Sequence, residues 1–261
     1  MMNEKAQYRR DPSALTGGHS PAALLRAFLR TTSEQILPLT TSGVRSGSKV
    51  FGAAVLKKKD LEAVTVATNQ EGKGGPLRHG EVEAVEGFYA LEEGERPEVK
   101  DTVFFATHEP CSLCLSAIAW GGWDNFFYLF TYEDTRDAFS IPHDLRILEE
   151  VFRVPSTSGT CDHASHREEP TSSSAASTAP PPSTSSAGPT PARPHPLYNS
   201  HNAFFSSHSC ADLLALVPRE DPDRAELVEL WERVRGRYEG LAEGYAETKE
   251  RGMGKGKIAL A

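Results

Sequence analysis

The 261-residue sequence predicts an α/β fold, a mixed sheet with helices packed on its faces. Three observations carry this. Residues 50–56 and 61–68 are β-rich runs joined by the charged turn KKKD, the pattern of an antiparallel hairpin. Helix, strand, helix, strand and helix patterns then alternate, which calls for strands with crossovers. The apolar runs available for those strands, such as FFYLF, are short and continuous, as buried strands are.

In order along the chain, residues 1–19 lack periodicity, contain Pro12 and Gly17-Gly18, and are expected to be a flexible leader. Ser20 reads as an N-cap with Pro21 at the first helical position, and Leu24, Leu25, Phe28, Ile36 and Leu37 give the helix an apolar stripe. After the hairpin, the glycine-rich stretch NQEGKGGPLR leads into a helix over 79–91, with Val82, Val85, Phe88 and Tyr89 at helical spacing. A strand at 102–107 follows. Pro110 opens a helix through Leu113, Ile118 and Trp120 that stops at Gly121-Gly122, and 125–130 and 144–152 read as strand and helix.

Residues 155–196 turn to Ser, Thr, Ala and Pro, and 170–196 contain no aliphatic side chain larger than alanine and no aromatic ring apart from the His195 imidazole, so this stretch is expected to be a disordered insertion. The domain then spans 20–154 and resumes at 197–218, where Phe204, Phe205, Leu213 and Leu214 reappear. Residues 219–261 read as a helix and a basic tail. Its stripe of Leu227, Leu230, Trp231, Val234, Tyr238, Leu241 and Tyr245 is expected to dock on the sheet domain.

Composition excludes several classes. Net charge is −8, so a sequence-independent coat on nucleic acid is not expected. No apolar run approaches the roughly 20 residues of a membrane span, and no apolar stretch follows MMNEKAQYRRDPS as a secretory signal would. Four cysteines in this length are not a disulfide framework, which favours a reducing compartment, the cytoplasm or the nucleus.

One constellation carries chemistry. His79-Gly80-Glu81 opens one helix and Pro110-Cys111-Ser112-Leu113-Cys114 opens the next, so both helix starts can meet at one edge of the sheet. Cys111 and Cys114 share a helical face, and the helix dipole favours their thiolates. One imidazole and two thiolates suit Zn2+, and three protein ligands rather than four point to catalysis. Glu81, two residues from a ligand, is placed to act as general base without binding the metal. A redox pair would account for Cys111 and Cys114 but not for Glu81. His108 is read as a strand-end polar residue in preference to a fourth ligand. Asp134, Asp137 and Asp144 are read as cap or loop acids, and the Cys161/His163/His166 and SSHSC clusters as incidental.

HGEVEAV followed by HEPCSLCLSAI resembles the zinc signature of the cytidine and deoxycytidylate deaminase superfamily, H-x-E with P-C-x-x-C, over residues 50–152. The resemblance implies a three-layer α/β/α sandwich around a five-stranded sheet, with His79, Cys111 and Cys114 on zinc and Glu81 shuttling protons. It further implies a hydrolytic deaminase of a nucleobase, nucleoside or nucleotide, with Asn69 contacting substrate. CLSAIAW and the helical connection after the fourth strand look closer to the guanine and tRNA-adenosine branches, although Gly80 stands where those usually have alanine. The acidic balance favours a small substrate over tRNA, and the family's habits imply a homodimer or a heterodimer with a related subunit. The competing expectation is a catalytically silent zinc-binding subunit of an RNA-modifying enzyme.

Overall fold

The computed structural model describes residues 12–152 and 197–250, with side chains to 247. The first part of the expected leader, the 155–196 insertion, the Cys161/His163/His166 cluster and the basic tail lie outside the described residues.

From Pro12 onward the leader expectation is corrected. Pro12–Leu15 forms a helical turn (α1), Leu15 and Thr16 are buried, and His19 Nε2 meets the Lys58 carbonyl at 2.7 Å. Gly17 and Gly18, both at positive φ, turn the chain away. Helix α2, Pro21–Thr31, starts as expected, with the Ser20 hydroxyl accepting from Ala23 N–H at 3.2 Å. It runs through a π-turn, Thr32–Ile36, into α3, Leu37–Arg45. Pro38 has no N–H to return to the preceding turn, and the wider turn before it, closed by Leu37 N–H on Thr32 O, absorbs that defect.

Strands β1 (Gly52–Lys57) and β2 (Ala63–Thr68) form the antiparallel hairpin, and a short helix α4 (Glu71–Gly74) leads to α5 (Gly80–Tyr89). Then come β3 (Thr102–His108), α6 (Ser112–Trp120), β4 (Asn125–Phe130), α7 (Tyr132–Asp137) and α8 (His143–Glu150). Beyond the undescribed stretch lie β5 (Ser206–Ser209), α9 (Cys210–Leu216) and α10 (Arg224–Glu250). The sheet order is β2-β1-β3-β4-β5, with β3, β4 and β5 parallel and β1 antiparallel to both neighbours. It is the expected mixed five-stranded sheet.

Strand periodicity divides the core. Ala54, Leu56, Val103, Phe105 and Phe127 face α2, α3, α9 and α10, while Ala53, Val55, Phe104 and Phe126 face α5 and α6. Phe28 of α2 stacks on Phe105 at 4.7 Å between centroids, which fixes that helix over the middle strands. Helix α10 completes the same layer as expected, burying Leu227, Trp231, Val234 and Tyr238. Arg26 reaches Asp223 at 3.0 Å, and Arg237 donates to the Ser33 carbonyl at 3.1 Å.

Two elements are not packed as hydrophobicity alone would place them. On α6 the buried residues are Cys114 and Ile118, which leaves Leu113 partly and Trp120 91% exposed. The fifth strand is SSHS, which carries no apolar signal, yet all four residues are buried beside β4. Ser209 is held by reciprocal capping with Asp212 at the start of α9 and Ser207 by its hydroxyl on the Ser200 carbonyl at 3.4 Å, rather than by apolar packing.

His108 ends β3 inside a ring of Phe51, Phe130, Phe139 and Tyr238, at centroid distances of 4.6 to 5.5 Å. Burial holds its imidazole neutral, with a pKa lowered to about 3. The unfolded chain takes up that proton near pH 6.5 and the folded chain does not. His108 therefore contributes stability above pH 6.5 that is lost as pH falls towards 3, by at most about 5 kcal/mol. Urea unfolding from pH 7 to pH 4 is expected to show a steeper loss for wild type than for His108→Phe.

Candidate metal centre and active site

The site lies where the parallel strands β3 and β4 end. His79 is the N-cap of α5 and Cys111 the N-cap of α6; neither side chain caps its own helix, and both turn to the same point. Local packing dictates this approach. A Cβ on Gly80 would stand 2.8 Å from the Gly52 Cα, so α5 begins in direct backbone contact with β1. The Gly80 N–H, one of the free donors of the first turn, is taken by Asn69 Oδ1 at 2.6 Å. Gln70 N–H bonds the Arg78 carbonyl at 2.8 Å, closing the loop that delivers His79.

His79 Nδ1 is 3.5 Å from each of Cys111 Sγ and Cys114 Sγ, and the two sulfurs are 3.6 Å apart. A tetrahedral zinc ion, with Zn–S about 2.3 Å and Zn–N about 2.05 Å, places its sulfurs about 3.8 Å apart and its nitrogen about 3.6 Å from each. The residues fit that ion. They form the one metal-type cluster of His, Cys, Asp and Glu among the described residues. His108 stays outside it, in its aromatic ring.

The donor set is electrostatically organised for a cation. The Cys111 thiol is held well below its usual value by the Cys114 hydrogen bond and by His79, whereas Cys114 is pushed up by the same bond and by burial. Burial alone would lower His79, but the hydrogen bond and charge of Cys111 raise it to about 9. Protons shared among three buried donors are those that a divalent ion displaces.

Glu81 is on the buried face of α5, with Ala84 and Phe88, and is 4% exposed. Burial first, and then the charge of Cys111, raise its pKa to about 7. Its Oε2 has no hydrogen-bond partner among the described residues, an orphaned acceptor beside the metal donors. Asn69 is fully buried, and after its Oδ1 is spent on Gly80 its Nδ2 is likewise unpartnered.

Three acids after β4 divide differently from the sequence expectation. Asp134 does cap α7, accepting from Thr131 N–H at 3.0 Å, and Asp137 pairs with Arg136 at 2.6 Å. Asp144 does not cap. Burial and the charge of Cys111 raise it to about 7, against the opposing effect of His79 and Lys49. Lys49 is itself held by Glu71, with Nζ at 2.8 Å from Oε1 and the Lys49 N–H on Oε2 at 2.8 Å. Neither the Lys49–Glu71 pair nor the role of Asp144 had a motif to mark it; they are brought together by loops.

Because α5 touches β1 through two glycines, Gly80→Ala is expected to displace His79 and Glu81 together. The cost should be about 1–3 kcal/mol in unfolding free energy, with weaker zinc retention on dialysis, against no change for Gly94→Ala, whose Cβ meets open space.

Residues 31–130 match the family described as "Cytidine and deoxycytidylate deaminase zinc-binding region". No curated protein matches the sequence. Among solved structures, the chain is similar to guanine deaminase from Bacillus subtilis, at 25% identity over 54% of this chain and 85% of that one, with a TM-score of 0.39. It is similar to guanine deaminase from Nitrosomonas europaea at 13% identity over 90% and 94% of the two chains, with a TM-score of 0.38. A structure from work on A-to-I editing by tRNA:A34 deaminases aligns at 20% identity over 37% and 70%, with a TM-score of 0.30. With every TM-score below 0.5, the weight rests on the family match and on the site it encloses. His79, Glu81, Cys111 and Cys114 all lie inside the matched region and the three donors stand at zinc-binding distances, so residues 31–130 carry a zinc-binding region of the cytidine and deoxycytidylate deaminase type.

Proposed function

We propose that this protein removes the exocyclic amino group of a small, uncharged nucleobase or nucleoside by hydrolysis, with Glu81 as the proton carrier. The observation that supports it is the pairing of a three-donor zinc set with an orphaned, buried carboxylate oxygen two residues from one donor. The chemistry that zinc supplies when bound is acidification of a water to a pKa near 7.

The chain's own residues do the rest. Glu81 Oε2 accepts one proton of the attacking water as the C–O bond forms at the amine-bearing carbon and passes it to the adjacent ring nitrogen. It then takes the second proton from the newly added hydroxyl and gives it to the amine as the C–N bond breaks, so that ammonia leaves and the ring keeps a carbonyl. Burial suits Glu81 to this traffic, since a carboxyl raised to about 7 both gives and takes a proton at neutral pH. Asn69 Nδ2 is a fixed donor for a ring or sugar oxygen, because Gly80 holds its other end. Asp144 is an acceptor for a ring N–H.

Charge sets the substrate class. Of the cations that act there, Lys49 is already paired with Glu71 and His79 is a metal donor, which leaves Glu81 and Asp144, acids raised to about 7 and partly ionised at neutral pH. A 5′-phosphate would meet repulsion there, which favours a base or nucleoside over a nucleotide. Retention of Glu81 in its buried position speaks for turnover over a silent subunit.

Ammonia release is the test, with zinc-loaded protein against guanine, guanosine, adenosine, cytidine, deoxycytidylate and bulk tRNA. Release from an uncharged base or nucleoside, lowered by at least about 10²–10⁴-fold in Glu81→Gln with zinc still bound, is expected. A Glu81→Gln protein as active as wild type would overturn the mechanism, and release from deoxycytidylate or tRNA alone would overturn the substrate class. Asp144→Asn is expected to weaken the same substrate about 10- to 100-fold in kcat/KM while zinc content is unchanged.

A further inference from the structure

We propose that Tyr198 is a positioning residue for the zinc ligand Cys111, acting through Glu109; the proposal rests on the zinc site described above. Cys111 follows β3 across two residues, Glu109 and Pro110, so its place is set by how firmly that bridge is held. Four hydrogen bonds hold it, beside the Tyr128 side chain of β4, which also reaches the Glu109 carboxylate. Glu109 N–H donates to the Phe130 carbonyl at 2.8 Å, and the Tyr132 O–H donates to the Pro110 carbonyl. Glu109 Oε2 accepts from Tyr132 N–H at 3.0 Å, and Glu109 Oε1 accepts from the Tyr198 O–H at 2.9 Å.

The first three bonds come from β4 and the residues directly after it, which form the floor of the site. The fourth comes from a residue 89 positions further along the chain, beyond the whole stretch 153–196. Tyr198 also packs its ring against Phe126, Tyr132 and Phe205, with centroids 6.3 to 6.4 Å away. Those ring contacts hold its hydroxyl at the carboxylate independently of the bond itself. Glu109 thus has one oxygen committed to the local turn and the other to the returning chain. The segment that supplies β5 thereby also braces the metal loop. A hydrogen bond to a carboxylate in such a place orients a ligand in the manner of the outer partners of metal sites.

Three full-length chains test this: wild type, Tyr198→Phe, and Tyr89→Phe as control. Tyr89 donates to the Gly121 carbonyl at 2.8 Å, at the far end of the same helix α6, so its variant also loses one hydroxyl but leaves the Cys111 bridge alone. Zinc affinity is read by competition with a chelator, and the absorption of the Co2+-substituted protein reports ligand geometry. Tyr198→Phe is expected to bind zinc about 10- to 100-fold more weakly with shifted cobalt bands, and Tyr89→Phe to stay within about twofold of wild type. Adding Glu109→Gln to Tyr198→Phe is expected to cost less than Glu109→Gln costs alone, since both act on one contact.

Tyr198→Phe with wild-type zinc affinity and an unchanged cobalt spectrum would overturn the proposal, as would an equal loss in Tyr89→Phe. So would additive effects of Glu109→Gln and Tyr198→Phe, which would mean that the two side chains act separately. A wild-type chain that binds no zinc would instead overturn the metal site, and this proposal with it.

Discussion

Three metal donors within 3.6 Å of one another, two buried cysteines and a half-buried histidine, are a demand on the whole fold, because each must be delivered to one point largely out of water. The fold meets it by starting two helices at one edge of the sheet. Parallel strands β3 and β4 must be joined by a crossover, and α6 is that crossover, so its N-terminus falls at the carboxyl end of β3. Helix α5 is brought alongside by the contact of Gly80 with Gly52, and Asn69 secures it. Both helices then aim positive dipole ends at anionic sulfur.

The opposite layer serves the site at one remove. Helices α2, α3, α9 and α10 bury their apolar faces on the far side of the same strands, and the Phe28–Phe105 stack, with Tyr238 over His108, ties that layer to the strand that ends in the metal loop. Helix α10 is therefore part of the domain core. Its ion pairs with α2 are partly exposed and add little to stability; the burial of Trp231, Val234 and Tyr238 is what holds it.

Where local rules are broken, chemistry is found. The apolar pattern of residues 79–91 points to Val82, Val85, Phe88 and Tyr89; Phe88 is buried as expected, but beside it the buried stripe of α5 is Gly80, Glu81 and Ala84. A carboxylate on the inner face of a helix, with one oxygen unpartnered, is a cost that a merely structural helix would avoid. Asp144, in the first turn of α8, is raised to about 7 by burial and the charge of Cys111. Asp134, which has the same appearance in the sequence, really is a cap.

Much was legible from the sequence alone. The hairpin, β3, β4 and most helices follow from periodicity and caps, because those signals depend on neighbours within a few residues. The metal set was equally legible, since H-x-E and P-C-x-x-C place their side chains by helix geometry, whatever the rest of the chain does. Tertiary structure alone decided the remainder. Strand β5 is polar and lies far along the chain from the β4 it pairs with, so only the register with Asn125 to Tyr128 makes it a strand. On α6 it is Cys114 and Ile118 that are buried, while the equally apolar Leu113 and Trp120 are left outside, a rotation that hydrophobicity alone does not choose. Lys49 with Glu71 and Tyr198 on Glu109 are contacts between residues that no spacing rule connects. A pattern within one element determines which side chains can act together; which elements meet is decided by packing, and it is that meeting which selects the substrate.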